Sequence, residues 1–317
     1  MAMAKRRAGW AIGGCLVLTT LAACGGGGAT AGSGTAPPVS GTPSPAPSPS
    51  PSGTTPPSSA ALIFAEEFDG AALDRTRWNV EGPAFHVNNE QQRYIDSPDT
   101  LGFARPAGAE GGALVLRPVW RPGYTAPDGS RADFVSARID TANKFALTYG
   151  KISARIRMPA GSGLWPAFWL LGYGNWPDNG ETDIMEYVGE KGWTSSAMHG
   201  PGYSGNTPIA RRFDFPTGED VTGWHVYSVV RTADFVAFSV DDREFYRVTK
   251  ADVERFGPWR FDGPQYVILN FAVGGAYPNG VNRVETPYFG VPQATVDLIR
   301  AGTPTMEVDW VRAWASE

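Results

Sequence analysis

The feature that most constrains this chain is a two-residue rhythm. In Lys151-Ile152-Ser153-Ala154-Arg155-Ile156-Arg157-Met158 apolar and polar side chains alternate, as in a strand buried on one face. Residues 235–240 and 243–248 repeat the pattern on either side of Asp241-Asp242, which reads as two strands joined by a tight turn. Further strands are expected over 113–119, 134–139, 226–230, 266–273 and 306–314, with Gly, Pro, Asp and Asn between them. No long segment carries a helical period. Many short strands punctuated by turns predict an all-β fold, a sandwich or jelly roll.

The rhythm is confined to residues 61–317, a span that suits one all-β domain. What precedes it reads as address and tether. Lys5, Arg6 and Arg7 lead an apolar stretch from Ala8 to Leu21, too short and too glycine-broken to cross a bilayer of ~30 Å. Residues 1–23 are therefore expected to be a signal peptide. Leu21-Ala22-Ala23-Cys24 is similar to a bacterial lipobox, in which Cys24 would become the lipidated first residue. Acyl chains there would hold the protein on a membrane, each buried methylene contributing ~0.8 kcal/mol. The expected location is exported, either lipid-anchored to the cell membrane or extracellular. Of the 2 cysteines, Cys15 would leave with the signal, so no intramolecular disulfide is expected and the fold must rest on its core. Residues 24–60, after the cysteine, are Gly, Ala, Ser, Thr and Pro with almost no large apolar side chain. Such a segment cannot offset the entropy of ordering and is expected to be an extended linker. The net charge of −5, without a basic patch, argues against a nucleic-acid partner.

Within the β region, Glu181-Thr182-Asp183-Ile184-Met185-Glu186 gathers three acids. Alternation puts Glu181 and Asp183 on one face and Glu186, three residues beyond, on the other. A β-bulge near Ile184-Met185 would shift the phase and bring Glu186 back. Like charges so crowded raise at least one pKa, which costs a plain sugar binder without return but suits a glycosidase. Such an enzyme needs one carboxylate to attack the anomeric carbon and a protonated one to serve the leaving oxygen. In retaining enzymes the two groups sit ~5–5.5 Å apart. Four strand steps of ~3.3 Å exceed that, so the glutamates must lean together over a bent strand. By themselves the three acids leave an acidic outer face or a calcium site open. Trp165 and Trp169, four apart on a strand, share a face and could stack on sugar rings or belong to the core.

Neighbouring segments extend the pattern in order: Glu67-Phe68-Asp69-Gly70, Asn88-Asn89-Glu90, Tyr149-Gly150-Lys151-Ile152, and Gly163-Leu164-Trp165-Pro166-Ala167-Phe168-Trp169. After the acids come Met198-His199-Gly200-Pro201-Gly202-Tyr203-Ser204-Gly205 and Leu269-Asn270-Phe271-Ala272-Val273-Gly274-Gly275. Over residues 64–317 the chain resembles glycoside hydrolase family 16, particularly its laminarinase-like β-1,3-glucanases. Thr182 departs from the family's usual aliphatic residue, and Ala276-Tyr277-Pro278 from its commoner Asn-Trp-Pro.

The resemblance implies a concanavalin A-like β-jelly-roll of two curved antiparallel sheets with an open cleft. It implies Glu181 as nucleophile, Asp183 as its assisting carboxylate and Glu186 as general acid/base. Asn89, Trp165, Trp169 and His199 would hold the sugar. No cofactor is expected for catalysis. A structural calcium on the side away from the cleft would use Glu67, Asp309 and the backbone of Gly112, an oxygen-only set. The expected activity is retaining endo-hydrolysis of laminarin-like β-1,3-glucan by a monomer. The same machinery on mixed-linkage β-1,3-1,4-glucan or a β-galactan, or a non-catalytic glucan-binding module, are the alternatives.

Overall fold

The computed structural model describes residues 60–316; the signal peptide, Cys24 and nearly all of the expected linker lie outside them. Alternation becomes two stacked antiparallel sheets. Across the first run Leu101–Ala104, Ala113–Leu116, Met306–Ala315, Gly150–Arg157, His225–Arg231, Phe235–Val240 and Arg243–Thr249, with Leu62–Glu66 also on Met306–Ala315. Across the second run Asn79–Val80, Arg138–Asp140, Gln265–Val273, Leu164–Gly172, Glu181–Glu186, Trp193–His199 and Ile209–Asp214, with Ala146–Leu147 also on Gln265–Val273. The core lies between them, in side chains such as Trp78, Leu114, Ile152, Phe168, Phe238 and Phe271, all fully buried. Each such side chain contributes roughly 1.5–3 kcal/mol by leaving water.

The alternation expected over 235–248 is present, and its turn falls at Asp241-Asp242, both left-handed at φ 49° and 61°. Asp tolerates that conformation, and the turn's twist matches the strands. Two expected strands divide. The run 134–139 changes sheet at Ala137: Arg131–Ser136 joins a small third sheet with Gln92–Tyr94 and Val119–Thr125, while Arg138–Asp140 joins the second large sheet. The run 113–119 stops at Leu116, ahead of Pro118, which cannot donate to a ladder. Three short helices accompany the strands, the longest being Gln293–Arg300, which buries Thr295, Val296 and Ile299.

Arg231 is buried without a carboxylate partner. Its guanidinium donates to the carbonyls of Leu147, Phe261 and Gly263 at 2.6, 3.0 and 3.1 Å, tying the Ala146–Leu147 strand to the loop that leads into Gln265–Val273. Burial lowers its pKa to about 10, still far above neutrality.

Candidate active site

The expected bulge is present. Against the preceding strand, Phe168 pairs with Met185 and Trp169 with Asp183, so Ile184 has no partner of its own. On the other side Asp183 faces Ala197 and Glu186 faces Ser195, three residues against two. Ile184 and Met185 both bury toward the core, and Glu186 comes back to the face that carries Glu181 and Asp183. Register then lines Arg138, Asn270, Ala167, Glu186, Ser195 and Arg212 across the sheet, directly paired strand by strand. Glu181 lies opposite His199.

Each glutamate has its own indole. Trp176 Nε1 donates to Glu181 Oε2 at 2.8 Å, and Trp165 Nε1 to Glu186 Oε1 at 3.1 Å. Asp183, only 3% exposed, shares a hydrogen bond with Glu181, and its Oδ2 lies 3.2 Å from His199 Nε2. Burial, then the Asp183 charge, pushes Glu181 up to about 8. Burial, then Glu186, holds Asp183 well above the usual carboxylate range. Burial raises Glu186 to about 7, against the opposing pull of His199 and the Trp165 N–H. Burial and mutual repulsion thus raise all three carboxyls, which titrate as a coupled group. Position, rather than proton affinity, then separates nucleophile from acid.

Trp165 and Trp169 are half-buried on this same open face, while Leu164, Phe168 and Leu170 face the core. Tyr277 packs edge-on to Trp165 at 5.8 Å, and its hydroxyl lies 2.9 Å from Ser195 Oγ. The Asn88-Asn89 turn, left-handed at φ 55° and 54°, reaches the same end of the site. There Ala276 N donates to Asn88 O at 2.8 Å, and a Cβ on Gly275 would meet Asn88 O at 2.9 Å and Trp165 at 3.3 Å. Asn89 is exposed at the tip of this turn.

Trp169 is held from beneath. Its N–H donates to Asn270 Oδ1 at 2.7 Å; Asn270 Nδ2 donates to Tyr94 Oη at 3.1 Å; Tyr94 donates to Glu90 Oε2 at 3.2 Å. Gln92 also donates to that oxygen at 2.6 Å. Arg138 lies 4.8 Å from the Trp169 ring and 4.1 Å from the Phe85 ring, a guanidinium between two aromatic faces. Burial raises Glu90, opposed by the Gln92 and Tyr94 hydrogen bonds and by the Arg138 charge.

Each residue of the expected calcium set has a partner within the chain. Glu67 is turned to Arg312, accepting from Nε at 2.9 Å and Nη2 at 2.7 Å. Asp309 is buried, ion-paired with Arg155, and accepts the Glu110 N–H at 3.0 Å. Gly112 donates its N–H to Asp69 at 2.7 Å and lies so close to the Phe68 carbonyl that a Cβ would meet it at 2.4 Å. Both acids of the set thus meet a guanidinium, Glu67 that of Arg312 and Asp309 that of Arg155.

Paired acids on an open aromatic face of a β sandwich define a glycoside hydrolase. Residues 84–300 match the family described as Glycosyl hydrolases family 16, and the chain belongs to it. It is 32% identical over 284 residues to glucan endo-1,3-β-glucosidase A1 of Niallia circulans, covering 81% of this chain but 38% of that protein. To the β-glucanase of Rhodothermus marinus it is 32% identical, covering 75% of this chain and 84% of that one. The laminarinase catalytic domain of Thermotoga maritima superposes with a TM-score of 0.68 at 30% identity, covering 81% and 99%.

Sequence reasoning missed Trp176, although it lies five residues before Glu181 in Gly174-Asn175-Trp176-Pro177. It also missed the Glu90–Tyr94–Asn270 support, whose members are scattered and meet only through register.

Proposed function

We propose that this chain cuts β-1,3-glucosidic bonds within laminarin-like glucan, with retention at the anomeric carbon. The observation that carries this reading is the convergence of Glu181, Asp183 and Glu186 on one open face through a one-residue bulge. Glu181 attacks the anomeric carbon while Glu186 gives its proton to the departing glycosidic oxygen. Glu186 then takes a proton from water, which displaces the sugar from Glu181 and restores both groups. Asp183 hydrogen-bonds Glu181 and keeps a proton within the trio. Trp165 and Trp169 offer ring faces to the sugar, and Asn89 and His199 hydrogen-bond its hydroxyls. The relatives named as a glucan endo-1,3-β-glucosidase and a laminarinase support the choice of polymer.

Two measurements test this. Wild-type protein is incubated with laminarin, mixed-linkage glucan and β-galactan; release only from galactan refutes the polymer, and binding without new reducing ends refutes catalysis. In azide, Glu181→Ala should give an α-glycosyl azide from an activated substrate and Glu186→Ala a β-azide; the reverse exchanges their roles.

The proposal extends to location and to the far side of the sandwich. The protein is exported and held at a membrane by acyl chains on Cys24; Cys24→Ala, followed by fractionation, should release it to the soluble fraction. A structural calcium is held by Glu67, Asp309 and the backbone at Gly112, in exchange for the Arg312 and Arg155 contacts. Chelation should then lower the melting temperature by several degrees, and an unchanged value refutes that site.

A further inference from the structure

The same three-residue corner that carries the nucleophile has the geometry of a metal trap. We propose that Glu181, Asp183 and His199 together take a borderline divalent cation, zinc above all, and that this occupancy shuts the enzyme off. Each residue offers one donor atom, and the three atoms lie within 4.8 Å of one another. His199 Nε2 and Asp183 Oδ2 are 3.2 Å apart, yet Asp183 Oδ2 has no hydrogen-bond partner although the residue is 97% shielded from water. That spacing is what two ligands on a common ion require. Bonds of ~2.0–2.1 Å at a tetrahedral angle place ligand atoms about 3.4 Å apart.

The backbone holds the set in place. Glu181 and His199 face each other across neighbouring strands, and Asp183 stands two residues along from Glu181. One imidazole nitrogen with two carboxylates suits zinc rather than a hard cation such as calcium or magnesium. Three protein ligands leave a fourth position on the open side for water. Charge favours the same outcome: among the described residues, no lysine or arginine lies in a salt bridge with any of the three acids.

A second group, Glu219, His225 and Asp241, has similar spacing but different chemistry. There His225 Nδ1 faces Asp241 at 2.7 Å and Nε2 faces the Asp220 carbonyl at 3.0 Å, and Glu219 pairs with Arg243. Both ring nitrogens are engaged, so no donor is left for an ion. His199 differs in having Nε2 turned to an unsatisfied carboxylate oxygen.

With zinc in place, a Glu181 lone pair goes to the ion instead of the anomeric carbon. Inhibition is then reversible and competes with sugar at the reacting subsite. This consequence rests on the catalytic reading above; the binding itself does not.

The test uses the full-length chain and cobalt(II) as the probe. Cobalt in a tetrahedral site absorbs visibly, and zinc should abolish the band at one equivalent per chain. Zinc should inhibit laminarin hydrolysis, chelator should restore it, and added oligosaccharide should weaken the apparent zinc affinity. His199→Ala should lose the cobalt band and weaken affinity by about 100-fold or more. Glu181→Gln, which removes a donor from a different strand, should do the same if His199→Ala does not fold. Wild-type cobalt affinity in a folded variant, or zinc inhibition without the band, overturns the site. A protein that binds cobalt with the expected band but cleaves no glucan keeps the site and refutes the catalytic reading instead.

Discussion

Trp165 donates its indole N–H to the Glu186 carboxylate at 3.1 Å, so the side chain proposed to offer a face to sugar also holds the proposed acid/base. A donor on the ionised form favours that form, and this contact opposes the burial that lifts Glu186 to about 7. A hydrogen bond to a charged group contributes about 1.5–3 kcal/mol, or roughly one to two pKa units. Trp165→Phe keeps the ring and removes the donor. The alkaline limb of kcat/KM, set by loss of the Glu186 proton, should move up by about one unit or more. A limb that stays in place would mean the indole only packs.

The acid strand should cost the fold stability as pH rises. Glu181 is raised from 4.5 to about 8, so between those values the folded chain keeps a proton that the unfolded chain has released. Stability is complete below pH 4.5 and is lost as pH rises through 8. In zinc-free buffer Glu181→Gln should abolish turnover yet melt higher than wild type at pH 8, by about 2–4 kcal/mol. The difference should close toward pH 4.5. Melting curves that stay parallel across the range would show that the charge is not what strains the site.

Glu90 touches no substrate-facing atom directly, yet every donor from Trp169 through Asn270 and Tyr94 points toward its carboxylate. It is a positioning residue. Glu90→Ala should raise KM for polymer by about tenfold with kcat and its pH profile nearly unchanged, the mark of lost uniform binding. Glu90→Gln keeps an acceptor for Tyr94 and should restore KM to within about threefold. A kcat that falls with an altered pH profile would place Glu90 in the chemistry instead.

The part of this molecule legible in sequence is the part governed by local period. Alternation gave most of the strands, and the phase conflict between Asp183 and Glu186 required the bulge that Ile184 supplies. What period does not encode is which sheet a strand joins. Ala137 carries no turn signal, yet the chain crosses there from one sheet to another, because both neighbouring runs find edges to pair with. The site divides in the same way. The acids and the two cleft tryptophans sit within one hairpin and share its register. Arg138, Asn270 and Glu90 reach Trp169 from distant segments, and nothing in the spacing of those residues announces the meeting. Nor does spacing announce that Arg312, 245 residues away, reaches the Glu67 carboxylate.

His225 sets a second pH dependence, opposite in origin from that of Glu181. Its Nδ1 lies 2.7 Å from Asp241 Oδ2 and its Nε2 3.0 Å from the Asp220 carbonyl. Both partners only accept, so both ring nitrogens must donate and the folded ring is an imidazolium. Burial works against that charge, but Asp241, the Asp220 carbonyl and nearby Glu219 outweigh it and hold His225 above its ordinary value of 6.5. A raised histidine contributes stability that is complete below pH 6.5 and lost as pH rises through the folded value. Asp241→Asn keeps the acceptor for the Val226 N–H, which Asp241 Oδ1 takes at 2.8 Å, and replaces the charged Oδ2 facing His225 Nδ1 with a neutral amide NH2. It should cost about 2 kcal/mol at pH 6, a few degrees in melting temperature, and almost nothing at pH 9. Burial holds the nearby Tyr227 hydroxyl well above its ordinary value, so it stays neutral over that range and does not contribute to the change. An equal penalty at both pH values would show that the ring is neutral in the fold and that the pair is an ordinary hydrogen bond.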